Sequence, residues 1–280
     1  MGYPAEAVRL YAISDLHVAT AASRQAVVAM PAHPGDWLIL AGDIGETPGH
    51  LEWVLSTLGP RFERIVWVPG NHDLWTLPTD PEQARGVERY LRLVELCQRF
   101  GVLTPEDPYS VWEAGGTRVV LAPLFLLYDY TFRPDGWTKE QALQHARRAG
   151  VFCTDELLLH PDPYPSREAW CWARVATTTE RLAAIPDGSA TVLISHFPLR
   201  HDLVFLPRIP EFSPWCGTGL TEEWHRRFRA VAVVYGHLHV PRTSWRDAVR
   251  FEEVSFGYPQ ERRRRAWTAG PVLRQVLPYP

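Results

Sequence analysis

Short apolar runs rich in β-branched residues recur along the chain at 8–14, 37–41, 64–68, 190–195 and 231–235. Runs of this length and composition read as buried strands. Between the first three lie segments with helical spacing, near 22–30 and at 48–58, the second marked by Leu51, Val54, Leu55 and Leu58. This βαβαβ order predicts a parallel sheet with right-handed crossovers. Further on, the pattern predicts a helix over 81–100 that stops at Gly101. It then predicts a hairpin turning at Gly115-Gly116, a helix over 168–185, a short helix near 220–229, and strands near 249–254 and 272–277. Two stretches exceed what an α/β core needs. Residues 123–170 are rich in Tyr, Trp, Phe and Pro, and 197–219 read as a long loop. Long ordered loops beside a sheet edge are usually functional.

Each of the five strand-like runs ends on chemistry. Asp15 and His17 follow the first, Asp43 the second, Asn71 and His72 the third, His196 the fourth, and His237 and His239 the fifth. In open α/β sheets, reacting groups gather beyond the carboxyl ends of the strands. Any one of these residues alone reads as a turn or surface residue. Together, carboxylate, amide and imidazole groups on five strand ends predict one shared metal site. Asp15 and His17 are two apart, as are His237 and His239, so on extended backbone each pair would face one side.

The ordered set Asp-x-His, Gly-Asp-x-x-Glu, Gly-Asn-His-Asp, His and Gly-His-x-His resembles the calcineurin-like metallophosphoesterase superfamily, over residues 15–239. The resemblance implies a four-layer αββα sandwich, with two mixed β-sheets flanked by helices, as one domain over 1–280. It also implies a two-metal phosphoesterase centre. Asp15, His17 and His239 would bind one ion, Asn71, His196 and His237 the other, and Asp43 would bridge them. The donor set suits two divalent or trivalent ions of manganese, iron or zinc. The resemblance makes His72 the group that protonates the leaving oxygen, a task suited to imidazole, or that steadies the transferring phosphoryl group, with Glu46 as its partner. Glu46 equally suits a helix N-terminus, and Asp73 reads as a turn residue or helix cap. Hydrolysis would proceed by in-line attack of a metal-bound hydroxide on a small phosphorylated metabolite. A phosphodiesterase or nuclease of the same superfamily, or a non-catalytic scaffold, are the other readings. All ligand positions are filled, which argues against the scaffold.

One departure narrows the class. Protein phosphatases of the superfamily carry Arg directly after the Gly-Asp-x-x-acid motif, where this chain has Thr47. The charge that grips phosphate must then come from elsewhere, and Arg133, Arg200 and Arg208 on the two extra stretches are the candidates. Those stretches are expected to form the substrate pocket. The formal net charge of −3 gives no electrostatic reason for nucleic acid, and the run 262–265 of four arginines reads as a solvated strand end or turn. Trp170 and Trp172 read as core residues. Cys97, Cys153, Cys171 and Cys216 are widely spaced and read as free thiols in a reducing cytosol. The lack of a signal-like or membrane-length apolar segment predicts a cytoplasmic protein.

Overall fold

The computed structural model describes residues 8–265 and 272–279. Strands β1 (Leu10–Ile13), β2 (His33–Leu40) and β3 (Phe62–Trp67) run parallel in the order β1-β2-β3. Helices α1 (Ala21–Val28) and α2 (Pro48–Leu58) make the crossovers. The last described strand, β10 (Arg274–Leu277), pairs antiparallel with β1 and completes a four-stranded sheet. The second sheet holds β4 (Ser110–Ala114), β5 (Thr117–Pro123), β6 (Thr191–Ile194), β7 (Ala230–Tyr235), β8 (Arg242–Arg246) and β9 (Val249–Glu253). Its order is β4-β5-β6-β7-β9-β8, parallel at its centre and antiparallel at both edges.

Side-chain alternation explains the layering. Leu10, Ala12, Ile39 and Val66 of one sheet meet Leu121, Val192, Ile194, Ala232 and Val234 of the other in a single buried cluster. The intervening residues, such as Ile13, Leu38, Leu40, Ile65 and Trp67, point the opposite way, into the layer of helices. Strands covered on both faces read as continuous apolar runs, which is why they were legible. The result is the expected αββα sandwich of two mixed sheets.

Local signals set the helix limits. The Thr47 side chain accepts from the His50 amide at 3.3 Å and Pro48 opens α2, so the residue replacing the phosphatase arginine is an N-cap. Helix α3 (Gly86–Arg99) starts later than its apolar spacing suggested, and α6 (Arg167–Ala183) matches its prediction closely. The 123–170 stretch is less loop-like than expected. It contains α4 (Lys139–Arg148), opened by a Thr138–Gln141 capping box, and the one-turn α5 (Asp155–Leu158). The 197–219 stretch carries 3₁₀ turns at His201–Leu203 and Pro210–Trp215. The predicted 220–229 helix shrinks to α7 (Trp224–Arg227).

Three assignments change. Strand β8 was not anticipated; it joins β9 through Asp247-Ala248, both left-handed, where a hairpin normally places Asn or Gly. The basic run at 262–265 lies in α8 (Pro259–Arg265), not in a strand end or turn. Pro259 at the first helical position followed by strong helix formers is the signal for it. Trp170 is buried, but Trp172 is 54% exposed and reaches Asp129 through its indole N–H. All four cysteines are buried and unpaired with one another. Among the described residues, no helix is long and apolar enough to cross a membrane.

Candidate dinuclear metal centre

The carboxyl ends of β1, β2, β3, β6 and β7 converge where the two sheets meet. There Ser14 donates its amide to Val254 and accepts from the Phe256 amide, stitching the end of β1 to the segment after β9. The seven residues expected to ligate metals all lie here, and all are buried except His237 and His239, which are partly so. The convergence does not rest on extended backbone. Asp15, His17, Asp43, His237 and His239 all have φ between 44° and 69°. L-residues seldom adopt this left-handed region, and clusters of it mark functional sites.

Glycines make the close approach possible. A Cβ on Gly70 would sit 2.1 Å from Asp43 Oδ1, and one on Gly236 would sit 2.4 Å from Asp15 Oδ2. The Gly-Asn-His and Gly-His-x-His motifs therefore need glycine for space.

Two groups of donors form. In the first, Asp15, His17 and His239 bring ligand-type atoms within 4.8 Å of one another. The Nε2 atoms of His17 and His239 face each other at 3.2 Å, and His239 Nε2 lies 3.0 Å from Asp15 Oδ1. In the second, Asp43, His196 and His237 do the same. His196 Nε2 lies 3.4 Å from Asp43 Oδ2 and 3.2 Å from Asn71 Oδ1. His237 Nε2 is buried without a hydrogen-bond partner. Asp43 also groups with His17 and His72, so it stands between the two sets.

Surrounding contacts fix these groups. His196 Nδ1 donates to the Ala41 carbonyl at 2.9 Å, which turns Nε2 towards Asp43 and Asn71. Ser14 and Ser255 hydroxyls donate to Asp15 Oδ2 at 2.5 and 2.8 Å. The Asn71 Nδ2 donates to Asp155 Oδ1 at 2.9 Å, which turns the amide oxygen towards His196. Glu261 lies 2.8 Å from His239 Nδ1. Asp73 does more than turn the chain. Its carboxylate accepts from the amides of Asp43, Ile44, Gly45 and Gly70, tying the β2 and β3 loops together.

The electrostatics show a site built around buried negative charge. Burial opposes ionisation of Asp43, yet the His196 and His72 imidazoles hold its carboxyl below the ordinary range. Burial likewise disfavours charge on His196, but Asp43 and Asp15 draw it up to about 9. His17 and His237 are pushed down to about 3, by burial first and then by neighbouring imidazoles. These two rings are neutral, the form that ligates metals.

His72 rests on Trp75, with ring centroids 3.6 Å apart. Its Nε2 is 3.9 Å from Asp43 Oδ2 and its Nδ1 is 3.8 Å from Glu46 Oε1. Burial disfavours its charge, but Asp43 and Glu46 raise its pKa above the ordinary imidazole value.

A cavity of about 310 Å³ opens over this edge. Asp43, Asn71, His72, His237 and His239 form its floor. Phe152 and Asp155 from the 123–170 stretch, and Leu206, Ile209 and Phe212 from the 197–219 stretch, form its walls. Among the described residues no lysine or arginine lines it. The structure does not bring the three candidate arginines here. Arg200 turns to Asp202, at 2.9 and 3.0 Å, and to the Glu222 carbonyl. Arg133 donates to the carbonyls of Trp137 and Tyr130. Arg208 is exposed outside the cavity lining. Sequence proximity to His196 misled because the chain turns outward after Leu199. Arg200→Ala is expected to leave KM for phosphoric esters unchanged and to cost at most about 1 kcal/mol of stability, as for a surface ion pair. Steady-state kinetics and denaturant titration are the check.

Sequence reasoning missed Asp155, Glu261, Ser255 and Tyr258, whose ring stacks on His17 at 4.2 Å. Ser255 directly follows the predicted strand near 249–254, but serine there carries no metal-ligand signal; the other three follow no strand-like run, so no local pattern marked them.

A fold of two mixed sheets with carboxylate, amide and imidazole groups on five strand ends defines a metallophosphoesterase. The calcineurin-like phosphoesterase family matches residues 8–241, and the chain belongs to that family. It is a metal-binding hydrolase of phosphoric esters. Among individual proteins, it is 49% identical over 276 residues to the [acyl-carrier-protein] phosphodiesterase PptH of Mycobacterium tuberculosis, spanning 97% of this chain and 84% of that one. The crystal structure of phosphopantetheinyl hydrolase (PptH) from Mycobacterium tuberculosis matches with a TM-score of 0.94 and 48% identity, over 98% of this chain and 97% of that one.

Proposed function

We propose that this protein hydrolyses the phosphodiester that joins a phosphopantetheinyl group to an acyl carrier protein. The observation that carries this reading is the 49% identity to a protein of that named activity along 97% of the chain. It replaces the expected small phosphorylated metabolite with an ester borne by a protein. The cavity supports the choice. A nuclease groove would be basic, whereas the described lining of this cavity contains no lysine or arginine and is walled by Phe152, Leu206, Ile209 and Phe212.

The residues fit two cations. His237 Nε2 lacks a partner, and the Nε2 atoms of His17 and His239 face each other at 3.2 Å, a spacing that a shared cation explains. Asp15, His17 and His239 would hold one ion, Asn71, His196 and His237 the other, with Asp43 between. The mixed oxygen and nitrogen donors suit manganese, iron or zinc. Bound there, the pair would set positive charge beside the phosphoryl oxygens and ease the ionisation of water. Among the described lining residues there is no arginine, so the cations would be the main counterpart of the phosphate charge.

The chain's own groups supply the rest. A water oxygen bonds to phosphorus, the bond from phosphorus to the carrier-protein oxygen breaks, and His72 gives its proton to that oxygen. The proton lost by the water passes to solvent. Glu46 supports the charge on His72. Trp75 fixes the ring plane, and its indole is held by Asp155 at 2.7 Å.

Asp155 therefore positions both Asn71 and Trp75. Asp155→Ala is expected to weaken metal binding about 10–100-fold, as for other groups that orient ligands, with Asp155→Asn recovering most of it because an acceptor remains. Metal titration of the folded variants reads this directly. Equal affinity in the wild type and the alanine variant would remove Asp155 from this role.

The function itself is tested by incubating the metal-loaded protein with a phosphopantetheinylated carrier protein and following its mass. Conversion to the unmodified carrier with release of phosphopantetheine, abolished by a chelator, is the expected result. Hydrolysis of bis-p-nitrophenyl phosphate without any cleavage of the carrier protein would overturn the reading.

A further inference from the structure

A second cavity, about 350 Å³, lies beside the one over the metal centre. Phe132, Trp137, Val204 and Pro210 give it apolar walls, and His145 and Glu211 give it a few polar atoms. Leu206 lines both cavities. The segment after it divides them. Ile209 and Phe212 face the metal side, while Pro210 and Ser213 face the second cavity. This divider is anchored rather than loose. Ser213 donates to the Phe132 carbonyl at 2.7 Å, and the Trp215 indole donates to Glu156 at 2.8 Å. His201 stacks on Phe132 with ring centroids 4.9 Å apart.

Two further observations concern what fills it. Among the described residues no lysine or arginine lines the second cavity, and its polar groups are His145, His201, Glu211 and Ser213. Large apolar side chains stay exposed in the lining of both cavities: Phe152 at 52% and Ile209 at 43% in the first, and Trp137 at 37% in the second. Apolar surface gathered at a cavity mouth marks a place that a ligand covers.

We propose that this second cavity binds the pantetheinyl arm of the substrate. The inference rests on the phosphopantetheinyl reading above and names the subsite that would recognise it. The arm is an extended chain with a geminal dimethyl group and two amides. It matches a cavity that is mostly apolar with scattered polar atoms. Its phosphate lies over the metal centre, and the chain passes over Leu206 into the pocket beyond. Phe212, whose ring centroid is 5.8 Å from that of His237, guards that side. The leaving oxygen of the carrier protein then faces the opposite side, at His72 against Trp75.

The test uses two diesters with the same leaving group, p-nitrophenyl phosphopantetheine and p-nitrophenyl methyl phosphate. The wild type is expected to favour the first by at least about 10-fold in kcat/KM, the size of discrimination that even one methylene gains in an apolar pocket. Val204→Trp, which fills the second cavity, is expected to bring that ratio near one while leaving the methyl ester rate unchanged. Trp137→Ala, at the exposed rim, should lower the ratio without disturbing the fold, and decides the matter if Val204→Trp loses both activities. A wild-type ratio near one, or a ratio unchanged in both variants, overturns the arm site. Cleavage of the carrier protein by the wild type is scored separately. Cleavage with no arm preference overturns this subsite alone; absence of cleavage overturns the reading beneath it.

Discussion

Asp43→Asn is expected to disable the centre more thoroughly than loss of any single histidine. Asp43 stands between both donor groups, with Oδ1 accepting from the His72 amide at 2.8 Å and Oδ2 3.4 Å from His196 Nε2. Asparagine has nearly the same shape, so the loops should keep their course. What it lacks is the negative charge that two cations at this centre would share. Removal of one oriented electrostatic group typically costs about 10²–10³-fold in rate, or roughly 2.7–4 kcal/mol. A charge that serves both ions should cost at least that much. His239→Ala removes a ligand from one donor group only, so at least one ion should remain. Elemental analysis of both purified variants, beside kcat for a diester, separates them. Two ions and full activity in Asp43→Asn would end the bridging assignment.

The second large effect concerns proton delivery. His72→Ala is expected to lower kcat for alkyl diesters about 10²–10⁴-fold, the usual worth of general acid help, with metal content near that of the wild type. His72 faces Asp43 and Glu46 at nearly 4 Å, and the fixed donors Asp15, Asn71, His196 and His237 do not depend on it. The loss should shrink for p-nitrophenyl esters, because nitrophenolate leaves without a proton. The measurement is kcat for an alkyl and a nitrophenyl diester in each protein. Equal losses would assign His72 to steadying the phosphoryl group instead.

The strand ends and their order were legible because both signals are local. A buried strand declares itself by an apolar run a few residues long, and a polar residue closing that run is visible beside it. Asp15, His17, Asp43, Asn71, His72, His196, His237 and His239 could thus be found without coordinates, and the family resemblance supplied the sandwich. The sequence also marked α2 and the β4–β5 hairpin, through helical spacing and paired glycines.

Tertiary structure decided the rest, because it depends on contacts between distant parts of the chain. Asp155 reaches Asn71 across 84 positions, and Ser255 reaches Asp15 across 240. No window along the chain contains either pair. The left-handed turns at the ligand positions and the exclusion of Cβ atoms at Gly70 and Gly236 likewise exist only once the sheets have met. Arg200 shows the limit from the other side. Four residues from His196, it was placed at the site by nearness in sequence. The fold turns it to Asp202 instead.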